Sequence, residues 1–274
     1  MKYLVLSFNY HELNDWAESL LMNETGALGS EIDEQTIKLY FQTEDFNRLQ
    51  VESLLKQIPN LNPVFEIDYL PDINWNARWE ADYDPVFLED KLVIRAPFHD
   101  PFENIHLNIT LEPEMAFGTG HHETTSLMLL KILREPMKNV SVLDFGSGTG
   151  VLAILAAKMG ATNIYALDND ENSINSIRKN IAYNKVEINA LLASKPEVIH
   201  NMLFDYLFAN ITKTVLLDNM QSFSHLTKSG SKLILSGFYN TDAQEIISSA
   251  EELGFRFIDG NNKNNWTALT FEKE

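Results

Sequence analysis

The spacing of apolar residues changes character twice along the chain. Positions 3–8 form an apolar run of strand length, and Leu13, Trp16, Ala17, Leu20 and Leu21 then recur at helical spacing. Gly26 and Gly29 interrupt that helix, and a strand pair fits residues 27–32 and 36–41. Phe46, Leu49, Leu54, Leu55 and Ile58 mark a second helix that stops at Pro59, and 64–69 reads as a last strand. The order β-α-β-β-α-β predicts a small α+β, ferredoxin-like domain over residues 1–70.

Residues 71–105 break this rhythm with Pro71, Pro85 and Pro97. Phe87 and Leu88 stand opposite Leu92 to Ile94 across Glu89-Asp90-Lys91, which reads as a hairpin within a linker. Trp75 and Trp79 are four apart and would share one helix face as aromatic staples. From about Leu107 strands and helices alternate. Strands are predicted at 140–145, 163–167, 187–192, 205–209, 232–236 and 266–271. Helices are predicted at 126–133, from 151, at 171–184, from 213 and at 241–253. Alternation of this kind predicts a parallel sheet with helices on both faces and right-handed crossovers. Residues 106–274 are therefore expected to form one α/β, Rossmann-like domain.

Composition narrows the chemistry. The chain has no cysteine, which excludes disulfides, zinc–thiolate sites and thiol nucleophiles. The opening MKYLVLSFNY runs at once into His11, Glu12, Asn14 and Asp15, unlike a signal peptide. No run of 18 apolar residues occurs, so no membrane span is expected and the protein is read as cytoplasmic. The formal net charge is −18, and residues 1–70 hold 12 acidic against 4 basic side chains. Such a field disfavours direct nucleic-acid binding, which rests on Lys and Arg, and it favours encounter with a basic partner.

The strongest motif is Asp144-Phe145-Gly146-Ser147-Gly148-Thr149-Gly150, a glycine-rich turn between an apolar strand and the helix from Val151. In open α/β sheets such turns lie at the carboxyl ends of strands, where ligands bind. Asp168 ends the next predicted strand, placed to accept the hydroxyls of a ribose. The third glycine comes one residue too early for the dinucleotide fingerprint, and no hydride-transfer constellation accompanies it, which argues against an NAD-dependent oxidoreductase. The turn also lacks the Lys or Arg that a phosphate would favour. A second motif, Ala209-Asn210-Ile211, ends another strand at the same rim; Asn210 serves there as a ligand contact or as the cap of the following helix. A third runs from Glu114 to Thr125. Gly118 and Gly120 allow close approach to a ligand, Met115 and Phe117 offer apolar cover, and Thr124 and Thr125 can cap the helix 126–133. His121 and His122 lack the partner spacing of a metal site.

Together these motifs resemble one family. Ala116-Phe117-Gly118-Thr119-Gly120-His121-His122-Glu123-Thr124-Thr125 is similar to the A-F-G-T-G-T-H-P-T-T motif of the ribosomal protein L-eleven methyltransferase family. Asp144 to Gly150 is similar to its D-F-G-C-G-S-G, Ala209-Asn210-Ile211 to its A-N-I, and Leu235-Ser236-Gly237 to its L-S-G. Trp75 and Trp79 resemble its linker tryptophans, whereas His121 and Glu123 depart from its usual Thr and Pro. The resemblance implies a class I methyltransferase domain with a seven-stranded, mostly parallel sheet, joined by a linker to a substrate-recognition domain. It implies S-adenosylmethionine as cofactor, S-adenosylhomocysteine as product, and methylation of lysine and N-terminal amines of a basic ribosomal protein. Carried over by position, Thr125, Gly146, Asp168 and Asn210 would contact the cofactor. The local reading adds Phe117, Gly118, Thr124, Asp144, Gly148, Gly150 and Asn169, and gives Asn210 the further task of orienting the amine. A methyltransferase for another protein or a small amine, and a non-catalytic S-adenosylmethionine-binding module, are the competing readings.

Overall fold

The computed structural model describes residues 3–10, 21–22, 24–33, 36–58, 61–70, 83–113 and 120–274. It divides into two compact units, Met1–Asp82 and Tyr83–Glu274.

In the first unit, β1 (Tyr3–Tyr10), β2 (Gly29–Asp33), β3 (Thr36–Gln42) and β4 (Leu61–Tyr69) form a sheet of order β2-β3-β1-β4, antiparallel throughout. This is the strand order of a split βαβ unit. The helix α1 (Arg48–Leu55) starts where Asn47 accepts a hydrogen bond from the Gln50 amide, as an N-cap asparagine does. Alternate residues of β1 and β3 point inward, so Leu4, Leu6, Phe8, Ile37, Leu39 and Phe41 share one core with Leu21, Val51 and Leu55. Most of the helix expected between Leu13 and Leu21, and the tryptophans at 75 and 79, lie outside the described residues.

In the second unit, β5 (Val86–Leu88) and β6 (Leu92–Arg95) form the expected hairpin, and β7 (Leu107–Thr110) adds to β6 in parallel. Residues 83–105, read from sequence as part of a linker, therefore belong to this compact unit. Its main sheet contains β8 (Val142–Phe145), β9 (Ile164–Asp168), β10 (Asn189–Leu192), β11 (Phe204–Asn210), β12 (Thr227–Tyr239), β13 (Phe255–Lys263) and β14 (Trp266–Lys273). The order is β10-β9-β8-β11-β12-β14-β13, parallel except for β14, which runs against both neighbours. Five helices accompany it: α2 (Glu123–Ile132), α3 (Val151–Lys158), α4 (Glu171–Asn184), α5 (Lys213–His225) and α6 (Ala243–Glu252).

Strand side chains separate by parity onto two cores. Val142, Ile164, Phe208 and Ile234 pack with residues of α2, α3 and α4. Leu143, Leu207, Leu233 and Phe271 pack with residues of α5 and α6. Burial on both faces is why these strands read as unbroken apolar runs rather than alternating ones. The edge strand β13 was not expected. Its stretch from Asp259 to Lys263 is polar, as suits an edge, and hides the strand from an apolar-run criterion. No helix among the described residues is long and apolar enough to cross a membrane.

Candidate functional site

Strand order reverses between β8 and β11, and the carboxyl ends of the strands around that point open onto a cavity of about 480 Å³. In open parallel sheets the crevice at such a switch point is where ligands bind. After β8 the turn 146–150 reverses the chain sharply: the amides of Gly146 and Ser147 both donate to the Leu167 carbonyl of β9, at 2.8 and 3.0 Å. The Gly150 amide closes the turn onto the Ser147 carbonyl at 2.8 Å, and α3 starts from Gly150.

Asp168, at the tip of β9, is nearly buried but reaches the cavity wall. One carboxylate oxygen accepts the Gly148 amide at 2.8 Å and the other the Asp170 amide at 3.0 Å. These bonds fix its plane against the glycine turn and leave lone pairs for a ligand's hydroxyls. Asp144 behaves differently. It is fully buried and does not line the cavity; its Oδ2 accepts the Ala153 amide of α3 at 3.2 Å and its Oδ1 has no partner. Burial pushes its carboxyl up to about 7; the Ala153 bond opposes this rise and the nearby Asp168 charge adds to it. Asp144 thus supports the turn from beneath.

The far wall is built by β11, α2 and β14. Asn210 ends β11 and is not a helix cap, since α5 begins after Thr212. Its amide nitrogen donates to Thr125 Oγ1 at 3.3 Å, and its carbonyl oxygen is buried without a partner. Gly146 and Gly237 flank the next residue, Ile211. A Cβ on Gly146 would stand 2.2 Å from the Ile211 side chain, and one on Gly237 would stand 2.3 Å from the Ile211 carbonyl oxygen, both at positive φ. Helix α2 begins at Glu123, earlier than expected, and its cap is His122 rather than Thr124 or Thr125: His122 Nδ1 accepts the Thr124 amide at 3.3 Å. Thr124, its hydroxyl 2.8 Å from His122 Nδ1, lies on the cavity, and Thr125 lies on a small recess beside Gly146, Gly148 and Asn210. Trp266 of β14 completes this side, edge-on to His122 at 4.9 Å and stacked on Tyr239 at 4.4 Å.

Of the residues singled out from sequence, Thr124, Gly146, Gly148, Asp168, Asn169 and Asn210 line the main cavity. Thr125 reaches only the recess, Asp144 and Gly150 support the turn, and Phe117 and Gly118 lie outside the described residues. Trp266, Ser173, Ala193, Ser194, Thr212 and Val215 also line the cavity and were not anticipated. Their positions at strand tips and helix starts were visible, but which tips face one space depends on strand order.

The strand order, the antiparallel β14 and a glycine turn clasped by the acid of the neighbouring strand place this chain among the class I S-adenosylmethionine-dependent methyltransferases. The family model described as Ribosomal protein L11 methyltransferase matches residues 9–274. The Ribosomal protein L11 methyltransferase of Porphyromonas gingivalis is 37% identical, with 99% of this chain and 98% of that protein aligned. That of Phocaeicola vulgatus is 34% identical, with 99% of each aligned. The crystal structure of a ribosomal protein L11 methylase from Lactobacillus delbrueckii subsp. bulgaricus superposes with a TM-score of 0.65 at 28% identity, covering 70% of this chain and all of that one. The chain belongs to the ribosomal protein L11 methyltransferase family, and is a protein methyltransferase.

The buried carboxyl at the base of the turn has a measurable signature. Between the ordinary aspartate value and about 7, the folded protein holds a proton on Asp144 that the unfolded chain has released. Stability contributed by the neutral form is therefore lost as pH rises through that window. Asp144→Asn removes the titration. In denaturant unfolding, the variant should gain on wild type steadily from about pH 4 to about pH 7; a pH-independent difference would contradict this account.

Proposed function

We propose that this protein transfers methyl groups from S-adenosylmethionine to lysine side chains and the α-amino group of ribosomal protein L11, in the cytoplasm. The observation that carries the reading is the unpartnered, buried carbonyl oxygen of Asn210 on the same cavity as Asp168. One end of the cavity suits a nucleoside and the other an amine.

The residues fit the cofactor. Asp168 has unused lone pairs for the ribose hydroxyls, and Asn169 and Ser173 stand beside it on the wall. Phe145 supplies apolar surface, and the turn carries no cation that would demand a phosphate. Gly146 and Gly148 line the same cavity as Asn210, and Thr125 bonds Asn210 from the adjoining recess. When bound, the cofactor supplies a methyl group already activated by its sulfonium.

The chain's own task is to present a neutral amine in line and to keep water away. A lysine amine has an unperturbed pKa near ~10.4, so it must shed a proton before its lone pair can form the new N–C bond. The carbonyl of Asn210 accepts a hydrogen bond from the incoming amine and orients that lone pair. With the amide nitrogen donating to Thr125 Oγ1, the carbonyl is the group left for the amine. Asn210 is uncharged and so does not favour the ammonium form as a carboxylate would. His122 borders the cavity, and the Glu123 carboxylate, 4.0 Å from its Nε2, takes the released proton through water. Ile211, Val215 and Trp266 give the amine end an apolar wall. Positioning of this kind supplies up to ~7–11 kcal/mol of barrier reduction. The acidic first seventy residues suit recognition of a basic ribosomal protein.

Incubation with methyl-labelled cofactor and total ribosomal protein, followed by mass spectrometry, should place label on amines of L11; label on another protein alone, or none, overturns the reading. Asp168→Ala should weaken S-adenosylmethionine binding by roughly 100-fold in calorimetry, since it deprives both the ribose hydroxyls and the Gly148 amide of an acceptor. Unchanged affinity would remove Asp168 from its assigned role. Asn210→Ala should lower kcat by about 100-fold through lost orientation; a variant with wild-type turnover would show that something else orients the amine.

A further inference from the structure

Helix α4 carries two buried asparagines, Asn180 and Asn184, that the transfer reaction above does not use. Each is bonded to backbone. Asn184 Oδ1 accepts the Thr110 amide at 2.9 Å and its Nδ2 donates to the Thr110 carbonyl at 2.6 Å, so it pairs with the end of β7 as another strand would. Asn180, one turn earlier and fully buried, divides its bonds between two segments. Its Nδ2 donates to the Thr149 carbonyl at 2.9 Å, and its Oδ1 accepts the Glu112 amide at 2.8 Å. Tyr183, on the same helix face, adds a hydrogen bond from its phenol to the Glu112 carboxylate.

The Thr149–Gly150 peptide unit is consequently held at both ends, its N–H by the Ser147 carbonyl and its C=O by Asn180. Gly148, which donates to Asp168 and lines the cavity, adjoins it. Further along the chain, His122 and Thr124 line the cavity. One amide group therefore ties the cofactor turn to the 110–112 segment. The partners also dictate its orientation, because a carbonyl needs the NH2 side and an amide N–H needs the oxygen.

We propose that Asn180 is a positioning residue for cofactor binding, coupling the glycine turn to the 110–112 segment through a single buried amide. It acts through Thr149 and Glu112 and touches neither cofactor nor amine. The inference rests on the cofactor reading given above.

Asn180→Asp tests it, with Asn184→Asp as the matched change on the same helix. The first keeps the acceptor for Glu112 but loses the donor to Thr149; the second keeps the acceptor for the Thr110 amide and loses the donor to the Thr110 and Asn180 carbonyls, without touching the turn. By calorimetry near pH ~8, where a buried hydrogen bond lost at the turn weakens binding about tenfold, Asn180→Asp should bind S-adenosylmethionine that much less tightly. Asn184→Asp should stay within about twofold of wild type, as no bond to the turn is lost. Lowering the pH should close the gap for Asn180→Asp, because the protonated acid again donates to the Thr149 carbonyl. Equal affinities for the two variants, or a gap indifferent to pH, would overturn the coupling. Amide exchange on the unaltered protein gives a check independent of folding: cofactor should slow exchange at Gly150 and Glu112 together, and protection of Gly150 alone would also overturn it. Failure of the unaltered protein to bind S-adenosylmethionine would instead sink the cofactor reading, and this inference with it.

Discussion

The tips of β8, β11 and β12 approach closely because neither Gly146 nor Gly237 carries a Cβ. Ile211 occupies the space that a Cβ on Gly146 or on Gly237 would need, and both glycines adopt positive φ. Close approach of these three tips brings Asn210 within reach of Thr125 and sets Gly148 against Asp168. A larger residue at either glycine would force the strands apart or push Ile211 into the cavity, since a packed interior has little slack.

Behind the tips stands a sheet buried on both faces. Its strands present apolar side chains to α2, α3 and α4 on one side and to α5 and α6 on the other. Most buried side-chain polar atoms among the described residues carry bonds; of those that do not, Arg95 Nε and Ser176 Oγ belong to residues that do not line the cavity. Ser236, Asn180 and Asn184 satisfy backbone groups, whereas Asp144 Oδ1, Ser147 Oγ and Asn210 Oδ1 lack partners. Unsatisfied buried polar atoms are costly and uncommon, so three in one neighbourhood mark the place where packing is subordinate to chemistry.

Much of this was legible in the residues. The glycine turn, the acid ending the next strand and the Ala209-Asn210-Ile211 strand end all stand where local pattern put them. Two local rules pointed to the wrong partner. Asn210 has the chemistry of a helix cap, yet the helix begins after Thr212 and the amide faces Thr125. Thr124 and Thr125 have the same cap chemistry, yet His122 holds that position, since Nδ1 reaches the Thr124 amide from the preceding turn. Capping preference is a statement about single residues, and several candidates next to one another compete for the same orphan amides.

Sequence alone determined what depends on neighbours along the chain: most of the strands and helices of residues 106–274 (β13 excepted), where the glycine turn falls, and the acidic balance of residues 1–70. Period and composition act over a few residues, so they survive without knowledge of the fold. Tertiary structure decided the rest. The order β10-β9-β8-β11-β12-β14-β13 brings Trp266, 56 residues beyond Asn210, to the same cavity, and gives β13 its place at the edge. The same packing gives Asn180 two backbone partners 31 and 68 residues away. Such pairings are set by which surfaces bury one another, and a hydrogen bond across that distance leaves no periodic trace in the chain.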